Sequence, residues 1–356
     1  MSLAADAPGG PIAWVRQRLF ATWFDGLVTV AFALFGVYLF ATLFDWAIVN
    51  AVWTAEAREA CTASAGACWA VVDARGRLIL FGLYPREEHW RSALACVAII
   101  ATMGLSCVPF FWSMARLAAL WLIGFGTFMG LMYGGFFGLP TVTTEQWGGL
   151  SLTVFLFSAG LVVGMPTAIG LALARRSRLP VVSTLAGIVI DFTRSIPLLA
   201  LLFAAAVVMP LVLPSEVQGD KLTRVVIAFA FFYACYQAEI IRAGIQSVSK
   251  GQEEAAAALG MPGWSRVFDI VLPQAFRNTL PATINQTVIT FKETSIVTII
   301  GFFEVTSSAS AAVGRGEWAA YFVEVYVFVA LIYFTFAFAL SRYGAYLERR
   351  TRLVRG

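Results

Sequence analysis

Eight long runs of apolar residues, nearly free of charge, limit what this chain can become. They lie at roughly 23–49, 92–114, 117–138, 148–174, 181–213, 222–245, 278–303 and 318–345. About 20 apolar residues cross a bilayer core as a helix, which closes its own backbone hydrogen bonds where no water can. Hydrophobic residues make up 60% of the 356 and charged residues 13%, whereas a soluble domain holds about 45–50% and about 25%. The expected fold class is all-α: a polytopic membrane protein with about eight transmembrane helices. The first run is too long for a cleaved signal peptide and reads as a retained span.

Only Ala115-Arg116 separates the second and third runs, so these form a tight helical hairpin. The fifth contains Pro197 and Pro210 and is long enough to break or to line a cavity. With eight spans, Arg16, Arg18, Arg116, Arg175, Arg176, Arg178, Lys250, Arg266, Arg277, Arg342, Arg349, Arg350, Arg352 and Arg355 all fall on one side. The connections at 139–147, 214–221 and 304–317 hold no basic residue, one Lys and one Arg. The loop at 50–91 has five Arg offset by five acidic residues, and its length makes it a weak determinant. Both termini are therefore expected in the cytoplasm. Chemistry divides the chain near residue 140. Residues 1–140 hold three spans and an outer loop; 141–356 hold five spans and almost every ionisable residue found inside an apolar run.

Several function classes drop out. One histidine, His89, and five scattered cysteines give no haem pair and no zinc spacing. No nucleophile elbow and no Gly-x4-Gly-Lys-Ser/Thr is present, so neither an enzyme nor a self-sufficient ATPase is expected. Nothing suggests nucleic acid as a partner; membrane lipid is the surrounding medium. Cys61 and Cys68 fall in the outer loop and are a candidate disulfide if that side is oxidising. Cys96, Cys107 and Cys235 sit in apolar spans and should be inert. Trp46, Trp53, Trp121 and Trp147 fit aromatic belts at the membrane surfaces.

Between the sixth and seventh runs, Ser249-Lys-Gly-Gln-Glu-Glu-Ala-Ala-Ala-Ala-Leu-Gly260 reads as a short helix. Ser249 with Gln252 makes a capping box, the Ala run favours helix, and Gly260 stops it. After the turn Met261-Pro262-Gly263, Trp264, Val267, Phe268 and Val271 mark a second amphipathic helix, ended or bent by Pro273. An alanine face lets another surface approach closely, which suits a docking element.

Glu254-Ala255-Ala256, Gly260, Ile270, Leu272 and Pro273 match Glu-Ala-Ala-x3-Gly-x9-Ile-x-Leu-Pro at every fixed position. This resembles the EAA loop of ABC importer permeases. Ala238-Glu239-Ile240-Ile241-Arg242-Ala243-Gly244-Ile245-Gln246-Ser247, Leu272-Pro273-Gln274-Ala275 and Phe291-Lys292-Glu293-Thr294-Ser295 resemble the polar amino-acid uptake family, of histidine and glutamine permease type. That likeness covers about residues 148–347. The N-terminal extension, with Gly66-Ala67-Cys68-Trp69-Ala70, is similar to general L-amino acid permeases. Two positions depart from the pattern: Arg194-Ser195-Ile196-Pro197 replaces Arg-Gly-x-Pro, and Lys292-Glu293-Thr294-Ser295 replaces Lys-Asp-Thr-Ser. Both changes keep the charge.

The resemblance implies a five-helix permease core in a bacterial inner membrane, importing polar or general L-amino acids at the expense of ATP. A cytoplasmic ABC ATPase dimer would bind the ATP and Mg and dock on Glu254, Ala255, Ala256, Gly260 and Pro273. A second permease subunit, forming a heterodimer, and a periplasmic amino-acid-binding protein complete the implied assembly; the chain itself needs no cofactor. The alternative is a self-contained secondary transporter, but paired broken helices in inverted repeats are not visible.

A charge at mid-bilayer costs roughly 2.5–3.5 kcal/mol, so each needs a reason. Asp191 and Arg194, three apart, can neutralise each other, as can Glu239 and Arg242. Lys292 and Glu293 point to different faces. An amino acid is a zwitterion, so a transit site needs a cation and an anion. Arg194 and Glu293 are the candidates, with Lys292, Thr294, Ser295 and Glu239 along the same pathway. Asp25 and Asp45 read as interfacial, and Glu324 has no local partner.

Overall fold

The computed structural model describes residues 10–54, 56 and 58–353. The first nine residues, Arg355 and the side chain of Arg352 lie outside the described residues. The chain forms two compact units, residues 1–74 and 75–356.

In the first unit, α1 (Pro11–Leu19) precedes the long apolar α2 (Trp23–Phe44), which runs on through a π-helical turn, Asp45–Val49. Thr22 and Asp25 cap α2 reciprocally: each side chain accepts from the other's backbone N–H, both at 3.1 Å. No residue of α2 is buried within the chain. A helix apolar on every side and covered by none of its own unit is solvated by lipid rather than water. The segment after it folds back on itself. Short helix α3 (Arg58–Ala63) carries Cys61, which is bridged to Cys68 across a Cα–Cα distance of 5.4 Å. Trp69 stacks on Trp53 and donates its indole N–H to the Ala47 carbonyl at 2.8 Å. Helix α4 (Ala70–Phe81) follows.

The second unit is built on α7 (Gly149–Arg175), with α10 (Lys221–Gln246) packed along it. Small residues make that contact possible. A Cβ on Gly164 would stand 2.5 Å from the Tyr233 ring and 2.8 Å from the Ala230 carbonyl oxygen. Helices in lipid gain little from apolar burial, so close backbone approach of this kind supplies the packing. Helices α5 (His89–Ser106) and α6 (Met114–Tyr133) form the expected hairpin, but the turn lies at 107–113, around Pro109, and Ala115-Arg116 is inside α6. Buried Arg91 ties the hairpin's ends, donating to the carbonyls of Leu131 and Pro140 at 2.8 and 3.0 Å.

Helix α8 (Pro180–Ser195) and the apolar helix α9 (Leu198–Val212) meet at an angle of 103°. The break is at Ile196-Pro197, where the proline ring forbids helical continuation and holds the preceding residue extended. After α10 come α11 (Lys250–Ala258), α12 (Leu272–Glu293), α13 (Val305–Val313) and α14 (Phe322–Leu353).

The structure bears on three expectations here. Among the described residues, five helices are long and apolar enough to cross a bilayer, or six if the bent pair is one span. The number eight is not confirmed. Helices α5 and α12 stand at two of the expected spans, but His89 and Arg91 dilute the first. Gln274, Arg277, Asn278, Asn285 and Gln286 dilute the second. Trp147 is not a belt residue: it is buried in edge contact with Phe128 and Phe155. Glu324 is buried and does have an interaction partner.

Candidate functional site

Two regions of the second unit gather the chemistry, and they meet at the last turn of α7.

The first is the surface around α11. Ser249 stands at its N-cap, yet its side chain makes no cap hydrogen bond, so the expected capping box does not form. The helix ends as expected. Gly260 takes φ +75°, and its N–H and that of Met261 close the carbonyls of Ala257 and Ala256. Ala256 is buried and anchors the helix, whereas Glu254, Ala255 and Ala257 are exposed. Arg176, at the end of α7, holds the helix through Glu253.

The second helix of this segment is not a separate one. A helical turn (Gly263–Ser265) and a π-helical stretch (Arg266–Val271) run directly into α12. Pro273 therefore neither ends nor isolates it, because the wide π turn ahead of the proline absorbs its missing N–H. Leu272 is buried beneath the segment and Pro273 is exposed. Trp264, Phe268 and Leu259 are exposed as well, at 68%, 52% and 82%. Between the two helices runs a groove of about 660 Å³, edged by Arg176, Arg178, Lys250 and Arg266, with Glu254 on its rim. Exposed aromatic side chains around a charged groove make a contact surface for a macromolecule rather than a small-molecule pocket.

The second region is a charge cluster where α7, α8 and α10 converge. Arg175 grips Asp191 with both terminal nitrogens at 2.9 Å and reaches Glu239 at 2.8 Å. Arg242 holds Glu239 from one turn below at 2.9–3.0 Å. Arg194 comes within 3.8 Å of Glu239 and lies 5.3 Å over the Tyr236 ring. The Asp191–Arg194 pair suggested by spacing is not formed: Arg175, sixteen residues from Asp191 in the chain, has taken the carboxylate. Glu239 thus faces three guanidinium groups, more positive charge than it can neutralise.

The remaining candidates lie at the far end of α12. Lys292 is exposed and Glu293 half-buried, and among the described residues no ion pair reaches either. Arg194 and Glu293 are therefore not joined to each other. Thr294 donates to the Phe291 carbonyl and lies 3.4 Å from the Tyr333 hydroxyl. Ser295 donates to the carbonyl of Lys292 at 2.9 Å.

One buried carboxylate escaped the sequence reading. Glu304 is fully buried and accepts from Thr298 at 2.6 Å, Tyr333 at 3.1 Å and Thr153 at 3.3 Å. It also caps α13 by accepting from the backbone of Thr306 and Ser307. Its oxygens are satisfied without a cation, which marks it as a structural tie between α7, α13 and α14. A Glu followed by a Ser/Thr-rich helix start was the only signal.

Residues 164–353 match the family model described as the inner membrane component of binding-protein-dependent transport systems. The chain is 39% identical over 345 residues to the inner membrane amino-acid ABC transporter permease protein YhdY of Escherichia coli, covering 95% of this chain and 92% of that one. It is 31% identical to the glutamate/glutamine/aspartate/asparagine transport system permease protein BztC of Rhodobacter capsulatus, covering 96% and 94%. The glutamate/aspartate import permease protein GltK of E. coli is 36% identical over 57% of this chain and 92% of its own length.

Proposed function

The chain belongs to the inner membrane components of binding-protein-dependent transport systems and is the permease component of an amino-acid ABC importer; on that premise we propose that α11 couples it to a cytoplasmic ATPase. The observation that carries this reading is the short helix itself. It shows Glu254, Ala255 and Ala257 outward, is locked at one end by Gly260, and is tethered at the other through Glu253. An alanine face has almost no side chain to desolvate or order, so a partner cleft seats on it closely. The end that bears α11 is then cytoplasmic, in line with the basic residues gathered there. ATP and Mg are bound by the partner ATPase dimer. A second permease subunit and a periplasmic amino-acid-binding protein complete the assembly.

Within the membrane, Arg194 and Glu293 are the groups proposed to meet a passing amino acid, with Lys292, Thr294, Ser295 and Glu239 along the route. Arg194 is only loosely held by Glu239, and Glu293 is in no ion pair among the described residues. A cation and an anion that are not spent on each other suit the carboxylate and ammonium common to all amino acids. No observation favours a self-contained secondary transporter.

Reconstitution with the ATPase and binding protein tests both halves. Glu254→Ala and Gly260→Ala should assemble yet lose binding-protein-stimulated ATP hydrolysis. Alanine at Gly260 meets no neighbour within 4 Å, so only its positive φ is disturbed, at about 1 kcal/mol. Unchanged stimulation in both variants would refute the coupling role. Glu293→Gln and Arg194→Gln should abolish uptake while leaving basal hydrolysis near normal. Normal uptake in Glu293→Gln retires the transit site.

A further inference from the structure

Away from α11 and the charge cluster, the second unit has a recess of about 580 Å³ lined by Trp112, Phe276, Arg277, Tyr343, Leu347 and Arg350. It is built from three places in the sequence. Trp112 lies in the connection between α5 and α6, ahead of residues 164–353 that match the family. Phe276 and Arg277 are on the second turn of α12; Tyr343, Leu347 and Arg350 are on the last turns of α14. Tyr343 fastens the connection down by donating to the Cys107 carbonyl at 3.0 Å, and the Arg350 guanidinium stands 5.7 Å from the Trp112 ring centre. Arg116, in the first turn of α6, lies 4.4 Å over the Phe110 ring of that connection.

Both arginines of the recess are exposed, and among the described residues neither has a carboxylate partner. Two unspent guanidinium groups present donor forks that fit a phosphodiester. The wall beside them is aromatic and aliphatic, and Trp112 and Tyr346 are half-exposed at the same end of the helices, the pattern of a membrane–water boundary. A free phosphate ester would use the arginines and leave the apolar wall wet. A phospholipid uses both, with its phosphate on the guanidinium groups and its glycerol and first methylenes on Phe276, Leu347 and the indole.

We infer that this recess binds the headgroup of an anionic phospholipid, and that the N-terminal extension creates the site by placing Trp112 against the permease core. On the orientation proposed above, the lipid belongs to the cytoplasmic leaflet, where anionic headgroups and basic pockets between helices meet. The site itself rests on membrane location alone and not on the transit assignment; only its leaflet rests on the proposed coupling role of α11.

The test is native mass spectrometry of the purified full chain, titrated with phosphatidylglycerol or phosphatidylcholine. Phosphatidylglycerol should bind at least tenfold more tightly. The double variant Arg277→Gln/Arg350→Gln should lose that preference. Trp112→Leu keeps every charge and should weaken phosphatidylglycerol about threefold. Arg315→Gln, an exposed basic residue outside the recess, should change nothing. Equal binding of the two lipids, a preference that survives in the double variant, or an equal loss in Arg315→Gln would overturn the site. Full competition by glycerol phosphate at lipid-equivalent concentration would overturn the lipid as its occupant. Size-exclusion and circular dichroism confirm folding; should the double variant fail them, Arg350→Gln alone must still lower the preference several-fold.

Discussion

Replacing Arg175 by glutamine removes three short charged hydrogen bonds, and the structure says how that loss divides. The Asp191 half is bidentate, but the Asp191 side chain is 56% exposed. Water replaces most of what is lost, so this half is worth about 0.5–1 kcal/mol. The Glu239 half is different, because that side chain is only 15% exposed. Stranding a buried charge altogether costs about 3–5 kcal/mol. Glu239 is not stranded, since Arg242 still holds both its oxygens and Arg194 stands at 3.8 Å. The remainder is about 1–2 kcal/mol, for a total of about 1.5–3 kcal/mol. Unfolding in mixed micelles gives the free energies for Arg175→Gln, Glu239→Gln and the pair together. The cycle should return a coupling of about 1–2 kcal/mol. Arg175 with Asp191→Asn should couple more weakly. A coupling below about 0.3 kcal/mol to Glu239, or a stronger one to Asp191, would refute the division by exposure.

Gly164→Leu forces side-chain atoms into the Tyr233 ring and the Ala230 carbonyl and should lower thermal stability by about 1–3 kcal/mol. Gly170→Ala, on the same helix with no neighbour within 4 Å, should be neutral or stabilising by up to about 1 kcal/mol. His89 donates from Nε2 to the Tyr84 carbonyl at 3.0 Å while Nδ1 is buried without a partner among the described residues. Desolvation by burial pulls its pKa below the ordinary value. A depressed histidine binds fewer protons folded than unfolded, so stability is full above about pH 6.5 and falls as pH drops below it. The chain has one histidine, so an NMR titration of the imidazole reads this directly, and His89→Gln should flatten the slope. Intact mass without reductant should show Cys61 and Cys68 bridged. Cys68→Ser should cost about 2–3 kcal/mol for so short a loop, and two free thiols in the native chain would remove the bridge.

What the sequence made legible is what neighbouring residues decide. Gly260 turns the chain after α11, Pro197 breaks the fifth run, and the second and third runs pair as a hairpin, although the chain turns at 107–113 and not at Ala115-Arg116. What it hid depends on who else arrives. Spacing pairs Asp191 with Arg194, but a longer-range partner, Arg175, fits the carboxylate with both nitrogens. Ser249 has the right chemistry for a cap and leaves it unused. Pro273 lost its power to stop a helix because a π-helical stretch precedes it. Trp147 belongs to the core because Phe128 and Phe155 meet it there, and no local pattern tells an indole at a surface from one inside. In the candidate site, local motif placed α11, while only tertiary contact revealed Glu253 as its tether and Glu304 as a tie.

Arg175 and Arg176 are consecutive, and a helix turns about 100° between neighbours. One reaches across to the carboxylates of α8 and α10; the other reaches to Glu253 on α11. The end of α7 thus works as a gear between two trains. A roll of that end about its own axis would strain both sets of contacts. On the coupling role proposed for α11, a displacement of that helix would reach α8 and α10 through two adjacent side chains.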